Sequence, residues 1–147
     1  MFRNILIVCH ANVCRSPAAE LLFRALAPRG AQTARAFHSA GIDANEGDDI
    51  DPVMSRLLAE RGVDASTHRS RRLSRGIVRD ADLVLVSERG QIAAVEALDP
   101  YARGKVHLLG KWEDAEIADP HGGLEADYRE SYALIERLVQ GWLHKIC

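Results

Sequence analysis

Residues 5–22 read ILIVCHANVCRSPAAELL, and the way this stretch divides decides the fold. Ile5, Leu6, Ile7 and Val8 form a short apolar, largely β-branched run of the kind that becomes a buried strand. Pro17 suits the first turn of a helix, and Ala18, Leu21, Leu22, Ala25 and Leu26 recur at helical spacing. The helix therefore runs from about Pro17 to Ala27, and Pro28 with Gly30 ends it. Cys9 stands where a strand ends, Arg15 and Ser16 where a helix begins. A helix N-terminus offers unpaired N–H groups and a positive dipole end, and a tight loop leading into it curls further N–H groups around an anion. A free thiol titrates near about 8.5, and such a cradle brings it down to about 3.5–7.5, so a sulfur placed there ionises easily.

Spacing alone is a weak signal. Sixteen of the 147 residues are Arg, so a Cys has an Arg six positions on about one time in nine. The joint pattern is far rarer: strand, Cys9, five residues, Arg15, Ser16, then Pro17 opening an amphipathic helix. Burial of Cys9 as a small core hydrophobe is the ordinary alternative, and its place at the end of a first strand argues against it.

A chain of 147 residues can bury a full core without staples and reads as one domain, residues 1–147. With 47% hydrophobic and 27% charged residues the composition is that of an ordinary globular protein. No window approaches a membrane span and the N-terminus lacks the pattern of a signal peptide, so a cytoplasmic protein with no membrane insertion is expected. Three Cys, two of them five residues apart, suggest free thiols in a reducing compartment rather than a disulfide framework. A net charge of −2 gives no reason to expect nucleic acid as a partner.

Further along, Thr33–Ser39 reads as a second strand, Ala40–Ile50 as a loop, and Asp51-Pro52 as the opening of a second helix capped by Gly62. Asp64–Arg79 is basic and irregular, with a short helical turn. Leu83–Val86 gives a third strand, Glu88–Leu98 a third helix, and Val106–Leu109 a fourth strand. After the polar loop Lys111–Gly123, a last helix spans about Leu124–Lys145. Strands alternating with helices imply an α/β fold: a three-layer sandwich with a four-stranded parallel sheet and helices on both faces. Ligands bind such sheets beyond the carboxyl ends of the strands. Partners for Cys9 are then sought in Cys9–Ser16, Ala40–Ile50, Ser87–Gly90 and Gly110–Gly123.

Phosphoryl chemistry at Cys9 needs a cation fitted to phosphoryl oxygens and an acid for the leaving group. Arg15 offers a planar fork that two oxygens can share, and Ser16 a hydroxyl for the sulfur. Candidate acids are Glu113, Asp114, Glu116 and Asp119, whose mutual repulsion favours a protonated carboxyl. Asp119 is the choice because Pro120 stiffens the backbone after it; from spacing alone Asp114 serves nearly as well. Glu113, Asp114 and Glu116 otherwise read as a solvated acidic loop.

CHANVCRSP at residues 9–17 and Asp119-Pro120 resemble the low-molecular-weight protein tyrosine phosphatases, and HSAG at 38–41, Asp51-Pro52, His68-Arg69, Arg71-Arg72-Leu73 and DLVLV at 82–86 extend the likeness through most of the chain. The likeness is to the bacterial branch that works opposite tyrosine autokinases in capsule and exopolysaccharide export. It implies catalytic roles for Cys9 as nucleophile, Arg15 as phosphate clamp and Asp119 as general acid. His10, Ala11, Asn12, Val13, Cys14 and Ser16 are then the residues that bind phosphate and shape the loop, Asn12 tolerating a left-handed backbone. No metal or other cofactor is implied, and His38, His68 and His121 lack zinc-site spacing. The expected partner is a phosphotyrosine-containing protein, a tyrosine autokinase among the candidates, with the phosphatase itself a monomer.

Three departures stand out. Ala11 occupies a place where the family usually carries Gly, so the loop backbone must accept a Cβ. His121 follows Asp119-Pro120 where an aromatic residue is common. Ala44, Asn45 and Glu46 leave less apolar surface for a phosphotyrosine ring. Two other readings share the sequence features: an arsenate reductase of the same fold, disfavoured because Ser87–Leu98 contains no Cys, and a phosphotyrosine-binding module without turnover. Cys14 is either a reversible disulfide partner for Cys9 or a buried residue packing under the loop, and Cys147 a free terminal thiol.

Overall fold

Ile5 and Ile7 project from one face of the central sheet and Leu6 and Val8 from the other, and each pair seeds a separate apolar cluster. The computed structural model describes residues 2–147, without the side chains of Gln32 and Thr33. Strands β1 (Asn4–Cys9), β2 (Ala36–Gly41), β3 (Leu83–Val86) and β4 (Val106–Leu108) pair in parallel in the order β2-β1-β3-β4. Helices α1 (Arg15–Leu26), α2 (Arg29–Ala34), α3 (Pro52–Glu60), α4 (Arg75–Asp80), α5 (Gly90–Leu98) and α6 (Glu125–Ile146) complete the three layers. Met54, Leu57 and Leu58 of α3 and Ile135, Leu138 and Val139 of α6 join Ala18, Leu22 and Phe23 of α1 on the Ile5 face. Val78 of α4 and Val95 of α5 cover Leu6 and Val8 on the other. Near-continuous burial along β1 and β3 is what a parallel strand covered on both faces requires. Among the described residues, no helix is long and apolar enough to cross a membrane.

The fold class is as the alternation of strands and helices predicts, with local differences at the ends of elements. The predicted strand Thr33–Ser39 lies instead at Ala36–Gly41, in register Asn4↔Ala36 through Cys9↔Gly41. Residues 29–34 form α2, which begins straight after Pro28, and Ala31 packs into the core. Pro28 thus closes one helix and opens the next. Helix α5 starts at Gly90 rather than Glu88, because Gln91 Oε1 accepts the N–H groups of Ser87 and Glu88 and keeps both in a turn. The loop predicted for Lys111–Gly123 contains a 3₁₀ turn at Lys111–Glu113, and β4 ends at Leu108. The last helix is displaced by one residue, to Glu125–Ile146, with Asp127 accepting the Leu124 N–H ahead of it.

Because β2 and β3 flank β1 on opposite sides, the connections leaving β1 and β3 diverge at the carboxyl end of β1. That is the crevice of an open parallel sheet, and Cys9 is the last residue of β1.

Candidate active site

Residues 9–16 turn from β1 directly into α1, whose first helical residues are Arg15 and Ser16. The first-turn N–H groups of a helix have no partner within it, so the loop closes on an anion-binding end. Cys9 Sγ lies 3.0 Å from Ser16 Oγ and accepts the Asn12 N–H at 3.3 Å. Ser16 Oγ itself accepts from Asn12 Nδ2 at 2.8 Å, which leaves the hydroxyl proton free for the sulfur.

Asn12 is fully buried and left-handed, with φ of 57°, a conformation Asn visits more readily than most residues. Its amide is saturated: Nδ2 also donates to Ser39 Oγ at 2.9 Å and Oδ1 accepts the Arg71 N–H at 2.9 Å. Its carbonyl accepts from His68 Nε2 at 2.8 Å. Ser39 in turn donates to Glu20, which pairs with Arg24. One side chain therefore ties the loop to α1, β2 and the 68–71 segment, and every donor on it has an assigned acceptor.

The expected difficulty at Ala11 does not arise. Asn12 and Asp114 are the non-glycine residues with positive φ among the described residues, so Ala11 carries its Cβ on ordinary backbone. The close approach falls on Gly41 at the end of β2. A Cβ there would meet His10 O at 2.7 Å and the Ala11 carbonyl carbon at 2.8 Å. Of the remaining loop residues, His10 is exposed, 3.9 Å from Asp43, while Val13 accepts the Asp51 N–H through its carbonyl. Cys14 is buried, its thiol pushed above the ordinary range by burial and by the nearby negative charges of Asp51, Cys9 and Asp119. Cys9 and Cys14 are both free thiols.

Arg15 is 2% exposed and joins three segments. Nη1 donates to Glu88 Oε2 at 2.9 Å and to Ile117 O at 2.7 Å, and Nη2 stands 3.8 Å from Asp119 Oδ2. Ile117 is fully buried and donates its own N–H to Ser87 O at 3.0 Å, so the segment after β4 is pinned to the segment after β3. The structure thus brings Asp119 to Arg15 and leaves the other acids elsewhere. Glu113 pairs with Arg137 at 2.9 Å, and Asp114 and Glu116 pair with Arg89. Mutual repulsion among these acids, expected from the sequence, is therefore not the arrangement. Each has an arginine, and the hydrogen bond from Arg137 holds the Glu113 carboxyl below its usual range.

Asp51, read in the sequence only as a helix cap, does more. Oδ1 accepts the Val53 and Met54 N–H groups, while Oδ2 meets His121 Nδ1 at 2.9 Å and accepts the Tyr128 hydroxyl at 2.8 Å. Burial pushes its carboxyl up, but these hydrogen bonds outweigh it and the pKa falls below the ordinary value. Tyr128 is pushed up to about 12, first by burial and then by its bond to Asp51.

Sequence reasoning missed Glu88, Ile117, Ser39, Glu20 and Tyr128. Glu88 and Ile117 carried a signal, their places in two of the four loops on the ligand edge. Among the described residues, no group of three or more His, Cys, Asp or Glu is placed to hold a metal ion. On the wall side Ala44 is buried and Asn45 and Glu46 are exposed, so this loop presents no bulky apolar side chain there.

The family described as "Low molecular weight phosphotyrosine protein phosphatase" matches residues 4–147. The low molecular weight protein-tyrosine-phosphatase Wzb of Escherichia coli (strain K12) is 36% identical over 143 residues, 97% of this chain and 94% of the relative. The crystal structure of the Erwinia amylovora tyrosine phosphatase AmsI superposes with a TM-score of 0.91 at 36% identity, covering 99% of this chain and 93% of that one. The arginine phosphatase YwlE from Geobacillus stearothermophilus superposes with a TM-score of 0.89 at 31% identity, covering 98% and 92%.

Proposed function

The chain belongs to the low molecular weight phosphotyrosine protein phosphatase family and is a protein-tyrosine-phosphatase, a phosphoric monoester hydrolase; we propose that its turnover runs through a phosphorylated Cys9. In the first step Cys9 Sγ attacks phosphorus, the bond to the tyrosine oxygen breaks, and Asp119 gives that oxygen its proton. In the second, water attacks the cysteinyl phosphate while Asp119 takes a proton, and the sulfur leaves as thiolate with inorganic phosphate as product. Arg15 and the loop N–H groups of residues 9–16 hold the phosphoryl oxygens through both steps. Ser16 supplies the hydrogen bond that steadies the leaving sulfur. The observation that carries this reading is Arg15, which lies in the loop beside Cys9 and reaches the Ile117–Asp119 segment from the far end of the chain.

The likeness to Wzb and AmsI supports a place in bacterial polysaccharide production. The substrate is then a phosphotyrosine-containing protein, a tyrosine autokinase or one of its targets, and the phosphatase acts as a monomer in the cytoplasm. Ala11 removes the main reason to favour a module without turnover, since its backbone is unstrained.

Phosphate release from a phosphotyrosine peptide and from phosphoarginine, with arsenite formation from arsenate measured in parallel, tests the assignment. The expected result is release from phosphotyrosine by the wild type, with none from Cys9→Ser although that variant still binds phosphate. Turnover of phosphoarginine or arsenate alone, or an active Cys9→Ser protein, would overturn it.

A further inference from the structure

Asp119 lies at the edge of a surface turn, its side chain half exposed and followed by the buried Pro120. Polar tethers hold the turn as well. Asp119 Oδ1 accepts the backbone N–H of His121 at 3.1 Å, which leaves Oδ2 as the oxygen that faces Arg15. The His121 imidazole then reaches down to Asp51 Oδ2 at 2.9 Å, and Asp51 is buried. Asp51 in turn donates its backbone N–H to Val13 O, inside the loop that carries Cys9, at 2.7 Å. A second tether runs from the Gly122 N–H to the Tyr128 hydroxyl, which donates to the same Asp51 oxygen.

We infer that His121 is a positioning residue for the leaving-group proton transfer: its imidazole, fastened to Asp51, sets the distance between Asp119 and the phosphate loop. Asp51 touches the loop on the nucleophile's side with its backbone N–H, through Val13, and the acid's turn with its carboxylate, through His121, so the two halves of the reaction are spaced through one buried residue. Two features fit this role. Asp51 is fixed by α3, whose first N–H groups it caps, and so gives the tether a rigid foot. The His121 side chain is 65% exposed, so its hydrogen bond rather than apolar packing fixes it. The inference rests on the reading of Asp119 as the acid.

The test compares kcat/KM for phosphotyrosine and for p-nitrophenyl phosphate, whose leaving group needs little protonation, in His121→Ala, His121→Phe and His121→Asn. Loss of the tether misplaces the acid, and misplacement by about an ångström costs about 10²-fold. His121→Ala and His121→Phe should therefore lose between about tenfold and a hundredfold on phosphotyrosine and far less on p-nitrophenyl phosphate. His121→Asn, whose amide nitrogen can take the place of Nδ1, should recover most of the loss. Equal losses on both substrates, no loss in His121→Phe, or no recovery in His121→Asn would overturn the inference. Asp119→Asn is assayed beside them. If that variant leaves the substrate ratio unchanged, Asp119 is not the acid, and the failure lies with the functional reading rather than with His121 alone.

Discussion

Arg15 Nη1 donates to the backbone carbonyl of Ile117 at 2.7 Å, so the arginine of the phosphate loop rests on the segment that delivers Asp119. The same nitrogen donates to Glu88 at 2.9 Å. A guanidinium can make both bonds and still present a fork to the phosphoryl group, whereas an ammonium on a flexible stem cannot.

Arg15→Lys should therefore lose kcat/KM on phosphotyrosine by about 10²–10³-fold, the scale of removing a preorganised donor. Glu88→Gln keeps an acceptor for Nη1 and should cost much less. Steady-state kinetics on the two variants check the order. A Lys variant within a few-fold of wild type would mean that the fork geometry is not used.

Gly41→Ala places a methyl against backbone rather than against a side chain that can swing away. The obstacles are His10 O at 2.7 Å and the Ala11 carbonyl carbon at 2.8 Å, both within the phosphate loop, and Ala44 Cβ at 2.8 Å, which has no torsion by which to move aside. Overpacking of this kind costs about 1–3 kcal/mol, and the displaced backbone atoms belong to the cradle. Thermal unfolding should show the loss of stability, and KM for phosphotyrosine should rise with it.

Cys14 should be silent toward thiol reagents in the native protein at neutral pH. It is 3% exposed and burial keeps its proton on, and the thiolate is the reactive form. Iodoacetamide followed by mass spectrometry should find Cys147, which is exposed, labelled and Cys14 unlabelled until denaturant is added. Rapid native labelling of Cys14 would show that the loop opens.

The loop, its flanking strand and helix, and the α/β architecture were legible because each rests on local pattern: an apolar run, a helical repeat, a proline in a first turn. The loop that carries Asp119 was legible through topology, since it leaves the same carboxyl edge of the sheet as the loop after β1, and Pro120 was the reason to prefer Asp119 to Asp114 within it. The partners that tune these residues were not. Ile117 acts through its main chain, and a backbone carbonyl leaves no trace in residue type. Glu20 and Ser39 meet only after β2, which starts three residues later than predicted, has paired with β1. Glu113, Asp114 and Glu116 read as an acidic cluster because their arginines, Arg137 and Arg89, lie far away in sequence.

Asp51 gives a pH signature of its own. Its folded-state pKa lies below the ordinary value of 3.8, because hydrogen bonds from His121, Tyr128, Met54 and Val53 outweigh burial. The folded chain thus binds a proton at this site less readily than the unfolded chain, so stability rises with pH across the interval between the two values. The contribution is complete above pH 3.8 and is lost as pH falls through the folded-state value. Asp51→Asn keeps an oxygen for the cap on α3 but has no charge to lose, so its melting temperature should fall below wild type at neutral pH and approach it at the acid extreme. Asp51→Ala removes the cap as well and leaves the Tyr128 hydroxyl without its acceptor, which costs about 1–3 kcal/mol more. Thermal melts of the three proteins across the acid range measure both effects. Parallel curves for wild type and Asp51→Asn would show that the charge on Asp51 contributes nothing to the fold.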